Sequence, residues 1–420
     1  WLSGCTRPSA PESPPFPFEA AAPTPTPVDP SATLFMIGHI ASEDQRPQME
    51  DLLDRFSAES GIEVRYEGEP LLPELLRRVL EAGEVPDILL LPVPNWVAEL
   101  ATAGVIEPLD PQTAEAVRAN FGEAWQALVA VDGMLYGVPF DASSKSLLYS
   151  RAGVLPPDGF ADLAALEAFA AERAAQGQPT FAVPGEPGWT LTDTFENVLL
   201  ASAGPAVYDD LREHRIPWTD PAVERAMRQW LSLLQEVYLV GGAEGATTLP
   251  LRGDTFADLF DPDAPRAAVW WGPGTVIEES GLLIPDDVEI IRFPGAGGVV
   301  GVGSVAVATN DRPQTMALLT HLAQPETIIP WVEAGGFISP NQQIPLESYP
   351  TELARAQAAQ LVEAQPFRYD LSDRLPPQLG GAFLYDQLKA VLTSPEDLPE
   401  ILAEIEAAAT REQGSPASQP

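Results

Sequence analysis

A single cysteine, Cys5, stands in 420 residues, so no disulfide can close within this sequence. Neither a CxxC pair nor an HExxH signature occurs, which leaves the common cysteine and histidine metal motifs unrepresented, and no cofactor motif is expected. Basic side chains are scarce: 23 lysines and arginines face 61 aspartates and glutamates, for a formal charge of -38. A surface of that sign repels phosphate backbones, which excludes nucleic acid as a partner. It also repels anionic head groups, so no basic patch could hold the chain on a membrane. No apolar run reaches the ~18 residues that a spanning helix needs. What is abundant is apolar residues, 45% of the chain, enough for the cores of two to three domains.

The lone cysteine closes the run Leu2-Ser3-Gly4-Cys5, which has the form of a bacterial lipobox. A diacylglycerol is expected on the Cys5 sulfur, with the charged and apolar parts of the signal upstream. Residues 6–30 are rich in Pro, Ala, Ser and Thr, which cannot bury a core and favour an extended tether. At ~3.1 Å per residue such a tether reaches up to about 75 Å. Residues 1–32 are therefore expected to be anchor and disordered linker, and the body to sit lipid-anchored on the extracytoplasmic face of a bacterial membrane.

Periodicity marks the body. Thr33 to Gly38 reads as a buried strand, and Pro47 to Ser60 as a helix with Met49, Leu52, Leu53 and Phe56 on one face and Gly61 as its stop. A strand at Ile62–Tyr66, a helix near Pro73–Ala82 and a strand at Asp87–Leu91 complete βαβαβ, the pattern of a parallel sheet. Asp132-Gly133 predicts a tight turn between short strands. Helices dominate from Phe160 to about Leu239. A strand follows at Ala267–Trp271, and Gly295 to Gly303 reads as a flexible crossing because no dinucleotide-site context surrounds its glycines. Val305–Ala308 is expected as a strand, Pro313–Ala323 as a helix, and Glu352 to Ala409 as mostly helical, with a fraying tail.

Several segments carry a family likeness in order: Pro86-Asp87-Ile88, Asp132-Gly133-Met134-Leu135-Tyr136-Gly137-Val138-Pro139, Ser143 to Leu147, Gly188-Trp189 with Asp193 and Glu196, Gly335 to Asn341, Phe367 to Asp373, and Gly381-Ala382-Phe383. The chain resembles the extracellular solute-binding proteins of bacterial ABC sugar importers, in particular the α-glucoside-binding branch, relatives of maltose-binding protein. The resemblance implies an α/β, two-lobe periplasmic-binding-protein-like fold of type II. Its hinge strands would cross three times, near Asp141, Gly301–Ser304 and Gly335–Ser339, with a ligand cleft between the lobes. Lobe one would hold 33–141 plus 305–336, lobe two 142–304 plus 337–409, and 410–420 would be a disordered tail. It further implies a monomer that captures a neutral saccharide, such as an α-glucoside or related oligosaccharide, and delivers it to the transmembrane subunits of a permease.

Sugars present hydroxyl rims and weakly apolar faces, so their clefts need aromatic plates and planar hydrogen-bonding groups. Trp96 follows a strand end, where open α/β sheets place ligands; a surface helix start is the alternative. Trp189 lies in a loop. Trp270 and Trp271 end a strand, and alternation lets one of them reach the cleft. Asp193 and Glu196 have capping-box spacing or contact hydroxyls. Asp141 and Lys145 flank the first crossing and either pin it or bind ligand. Arg368, Asp370 and Asp373 are expected as an ion-pair cluster or as ligand contacts, and Phe337 as a cleft wall near the third crossing. One departure stands out: after Ala382-Phe383, where relatives tend to carry a stacking tryptophan, this chain has Leu384, and the strand end near Leu91 lacks an aromatic as well. Two other classes compete. A secreted glycosidase would need two carboxylates flanking a bond. A binder of a charged or other non-sugar solute would need a convergent charge pair instead of aromatic faces.

Overall fold

The computed structural model describes residues 33–413, except 157, 253–254, 257–260, 262–265, 275–286, 296–297 and 364–365. Cys5, the tether and the tail beyond Gln413 lie outside the described residues.

The βαβαβ start folds as its periodicity requires. The helix Arg46–Ser60 buries Met49, Leu52, Leu53 and Phe56, and Gly61 ends it in the left-handed region at φ 74°. Strands Thr33–Gly38, Glu63–Gly68 and Ile88–Leu91 run parallel, and Val305–Ala308 and Gly137–Pro139 extend them, giving the order Glu63–Gly68, Thr33–Gly38, Ile88–Leu91, Val305–Ala308, Gly137–Pro139. All four residues of Ile88–Leu91 are buried, as befits a central strand covered on both faces. Asp132 and Gly133 both take positive φ, 49° and 80°, the primed geometry whose twist matches the short strands they join.

A second sheet orders Val288–Arg292, Leu147–Arg151, Val269–Gly272 and Phe181–Ala182. Helices Leu163–Ala175, Trp189–Arg212 and Pro221–Leu233 pack on it. Each sheet has its own hydrophobic cluster, one built around Met36, Leu90 and Val307, the other around Leu148, Phe195 and Trp271. Two α/β lobes result.

A third, three-stranded sheet joins them, with Val299–Val302 between Phe367–Tyr369 and Ser143–Ser144. The glycine-rich stretch expected as a flexible crossing is thus in part a paired strand. Glycine lowers its local β-propensity, and partners distant in sequence supply the ladder. The crossings are tied to one another: Phe140 N donates to Ser304 O at 2.9 Å, Ala142 N to Ile338 O at 2.9 Å, and Ser304 N to Asp141 Oδ1 at 2.7 Å. Phe337, Tyr349, Leu361, Phe367 and Tyr369 pack in the first cluster, and the chain joins the second from Leu371 onward.

Candidate functional site

Only two lysines occur in the chain, and one of them, Lys145, is buried. It sits between two strands, its amide donating to Val300 O at 2.8 Å and its carbonyl accepting from Asn197 Nδ2 at 2.9 Å. The ammonium donates to Asp193 Oδ1 at 3.0 Å, pairs with Asp370 Oδ2 at 3.3 Å and lies 4.2 Å from the centre of the Trp189 ring. Asp193 and Asp370 are 2% and 1% exposed, whereas Trp189, Asp373 and Tyr385 around them are half-buried. A buried ion triad therefore meets solvent through two aromatic rings and a carboxyl.

The charges cannot all persist, because one ammonium faces three carboxyls. Burial, with Asp370 beside it, pushes Asp193 well above the carboxylate range against the pull of Lys145. Asp370 stays below its ordinary value: burial opposes this, but Lys145, the Asp373 amide and the Ser372 hydroxyl outweigh it. Of the two acids on the ammonium, Asp193 is therefore the easier to protonate and Asp370 the harder. Burial and then Asp370 raise Asp373 to about 7. Burial alone would lower the Lys145 ammonium, yet Asp193, Asp370 and Asp373 hold it raised.

Asp193 and Glu196 do not form a capping box. The helix Trp189–Arg212 starts after Gly188 without a side-chain cap, and both acids lie inside it. Glu196 caps another segment instead, accepting from Leu371 N at 2.6 Å, Ser372 N at 3.0 Å and the Tyr208 hydroxyl at 2.6 Å. It holds the start of the short helix Leu371–Arg374 against the long one, and Asp370 caps that same start by accepting from Asp373 N at 3.0 Å.

A second polar centre lies where the crossings meet. Asp141 is 3.7 Å from His39 Nε2, and His39 directly follows the strand Thr33–Gly38. Burial would raise Asp141, but hydrogen bonding and charge from His39, with the Ser304 amide, keep it lowered. Trp96, half-buried, opens the helix Asn95–Thr102 just beyond the strand Ile88–Leu91. His39 and Trp96 both sit past carboxyl ends of parallel strands, the edge at which such sheets bind ligands.

The remaining candidates lie elsewhere. Trp270 and Trp271 are both fully buried, so neither presents surface to a solute. Alternation does send them to opposite sides, but both sides are filled: Trp270 packs on Phe256 at 5.2 Å, Trp271 on Phe293 at 5.1 Å. Phe337 is core, edge-on to Phe140 at 5.3 Å and 4.5 Å from Trp331. Arg368 does not join Asp370; it turns away to Asp209 at 2.8 Å. Leu384 is buried, and the aromatic absent at that position stands one residue later, where Tyr385 packs against Gly188 beside Trp189. Sequence reasoning missed Tyr385, Asn197 and His39. For His39, the signal was its place directly after a strand. Among the described residues no group of three His, Cys, Asp or Glu is placed to hold a metal ion.

Two α/β lobes, three tied crossings and a polar, aromatic-edged site define a solute receptor. The chain belongs to the bacterial extracellular solute-binding protein family, whose model matches residues 51–360. It is 31% identical over 359 residues to the osmoprotective compounds-binding protein GgtB of Synechocystis sp., covering 81% of this chain and 84% of that one. It is 26% identical over 381 residues to the alpha-glucosides-binding periplasmic protein AglE of Rhizobium meliloti, covering 84% and 81%. Among solved structures, the bacterial solute receptor AcbH matches with a TM-score of 0.77 at 15% identity, over 90% of this chain and 99% of that one. Maltose-bound MalE3 of T. maritima matches at 0.63 and 17%, over 90% and 99%. The fold is the type II binding-protein fold across nine-tenths of the chain. The protein is thus a sugar-type solute-binding component of an ABC importer, working outside the cytoplasm.

Proposed function

We propose that this receptor captures a small neutral glucoside, an α-glucoside or a glucosylated osmoprotectant, in the cleft between its lobes and hands it to the permease. The names of the relatives in the α-glucoside and osmoprotectant branches support this class. One observation carries it: the Lys145 ammonium, fixed between Asp193 and Asp370, underlies the Trp189 ring, and that ring and Tyr385 border the polar cluster. The rings supply plates for a sugar face, while Asp373, the carboxyl of the cluster nearest solvent, supplies acceptors for its rim. From the other lobe Trp96 and His39 close over it. The lobes in this reading are 33–141 with 305–336, and 142–304 with 337–409, save that the stretch from Phe337 to Tyr369 packs on the first core instead of the second; the crossings act as hinges. A non-sugar solute or a hydrolase fits less well, since in this cluster Asp193 and Asp370 are already engaged by Lys145 and Glu196 by the Leu371 and Ser372 amides. The test is titration calorimetry with α-glucosides, glucosylated polyols and free polyols. Each of Trp189→Ala and Tyr385→Ala should weaken binding by roughly three- to tenfold, about 0.5–1.5 kcal/mol. Parent-like affinity in both variants would refute the assignment.

Membrane residence follows, in the same reading, from acylation of Cys5. Cys5→Ser expressed with its full signal should yield soluble, solute-competent protein, and continued membrane retention would refute the anchor.

A further inference from the structure

Three arginines of this acidic chain, Arg212, Arg368 and Arg374, line one groove of about 220 Å³. The groove runs between the helix Glu123–Leu128, which packs on the first core, and the end of the helix Trp189–Arg212 in the second lobe. Phe367, Arg368 and Tyr369 contribute its crossing strand. Asp209 is its one carboxylate and is taken by Arg368 at 2.8 Å. Arg212 pairs with Glu213, which is not among the lining residues. Arg374 has no ion pair among the described residues. The Nε groups of Arg212 and Arg368 are buried without an acceptor. Burial, and then the like charge of Arg212, lowers Arg374, as expected for guanidinium groups crowded without an anion between them.

Unpaired buried donors and surplus positive charge call for an acceptor that the protein itself does not supply. We propose that this groove is a second ligand site, for a small oxyanion of the phosphate or sulfate class, held by the guanidinium forks of Arg212, Arg368 and Arg374. Ala124 and Leu128 wall the side opposite the arginines, which limits the guest to a few heavy atoms. Because the two walls belong to different lobes, an anion here bridges them and biases the hinge. A hydrogen-bonded path links the groove to the Lys145 cluster: the hydroxyl of Tyr208, which lines the groove, donates to Glu196, which holds the Leu371 and Ser372 amides next to Asp370. Coupling between anion and solute rests on the solute reading given above; the anion site does not.

The experiment uses the full chain at constant ionic strength, following thermal unfolding and calorimetry with inorganic phosphate, sulfate, acetate and chloride. Phosphate and sulfate should raise the melting midpoint saturably, acetate less, and chloride not at all. Arg374→Gln should weaken the phosphate response about tenfold or more. Ala127→Glu, on an exposed groove residue, should do the same by placing a carboxylate opposite the arginines, and it remains informative if the arginine variant does not fold. A phosphate response no larger than that of chloride, or one equal in parent and Ala127→Glu, would overturn the site and leave the arginines as neutralisers of helix ends. Solute affinity should shift with phosphate in the parent and not in the variants, as linkage requires; phosphate binding without that shift would overturn the coupling alone.

Discussion

Around Lys145 a single cation organises three carboxyls, those of Asp193, Asp370 and Asp373, and the proton distribution among them sets the behaviour of the cluster. Asp373 is the member nearest solvent and titrates near 7 against an ordinary 3.8, pushed up first by burial and then by Asp370, with Lys145 pulling the other way. Between those two values the native chain keeps a proton that the unfolded chain has released. Its contribution to stability is therefore fully present below about pH 4, declines as pH rises toward 7 and is absent above. Asp373→Asn removes this dependence, so the melting temperature of the parent relative to the variant should fall from pH 4 to 7 and then level. A constant difference across that range would refute the assignment. Lys145, Trp189, Asp193 and Glu196 were all legible as candidates because rare or spaced polar residues near a strand or helix start stand out. Trp270 and Trp271 were not legible as core, since a sequence shows that strand residues alternate but not that both faces are covered. Tyr385 escaped because only the helix that carries it, meeting Gly188 in space, turns it toward Trp189.

At the scale of elements, the site depends on strands that cross between lobes in near contact. Gly303 marks one close approach: a Cβ there would stand 2.2 Å from Asp141 O and 2.9 Å from the Trp125 ring. Gly303→Ala should push the first and second crossings apart and lengthen the bond from Ser304 N to Asp141. Overpacking of this kind costs about 1–3 kcal/mol, which a chemical denaturation midpoint would register; an unchanged midpoint would mean that the crossings are not packed as described. The long amphipathic helices were readable because a 3.6-residue period needs only local sequence to declare itself. Ser143–Ser144 and Phe181–Ala182 were not, as two residues carry no period at all. Glu196 shows a subtler limit: its spacing from Asp193 looked like a cap within one helix, and the amides it satisfies begin another helix 175 residues away.

For the whole molecule, the separate cores and the shared three-stranded joint leave one soft coordinate, the angle between the lobes. Each core is packed internally, so the lobes move as bodies, while backbone rotation concentrates where few side chains interlock. In the proposed reading, a solute touching both Trp189 and Trp96 would make its full set of contacts only when the angle is small, and that differential affinity would drive closure; a solute bound equally in both states would move nothing. The charge of -38 opposes approach of the lobes, so closure should be measured near physiological ionic strength, where screening reaches within about 8 Å. Small-angle scattering should then show a smaller radius of gyration at saturating glucoside, and the melting temperature should climb with the logarithm of solute concentration. Removing the first-lobe contact separates binding from closing: Trp96→Ala should keep partial affinity through the second lobe yet lose most of the compaction. If the parent binds solute with no change in its scattering curve, the site works as a rigid pocket, and the hinged reading of the three crossings fails.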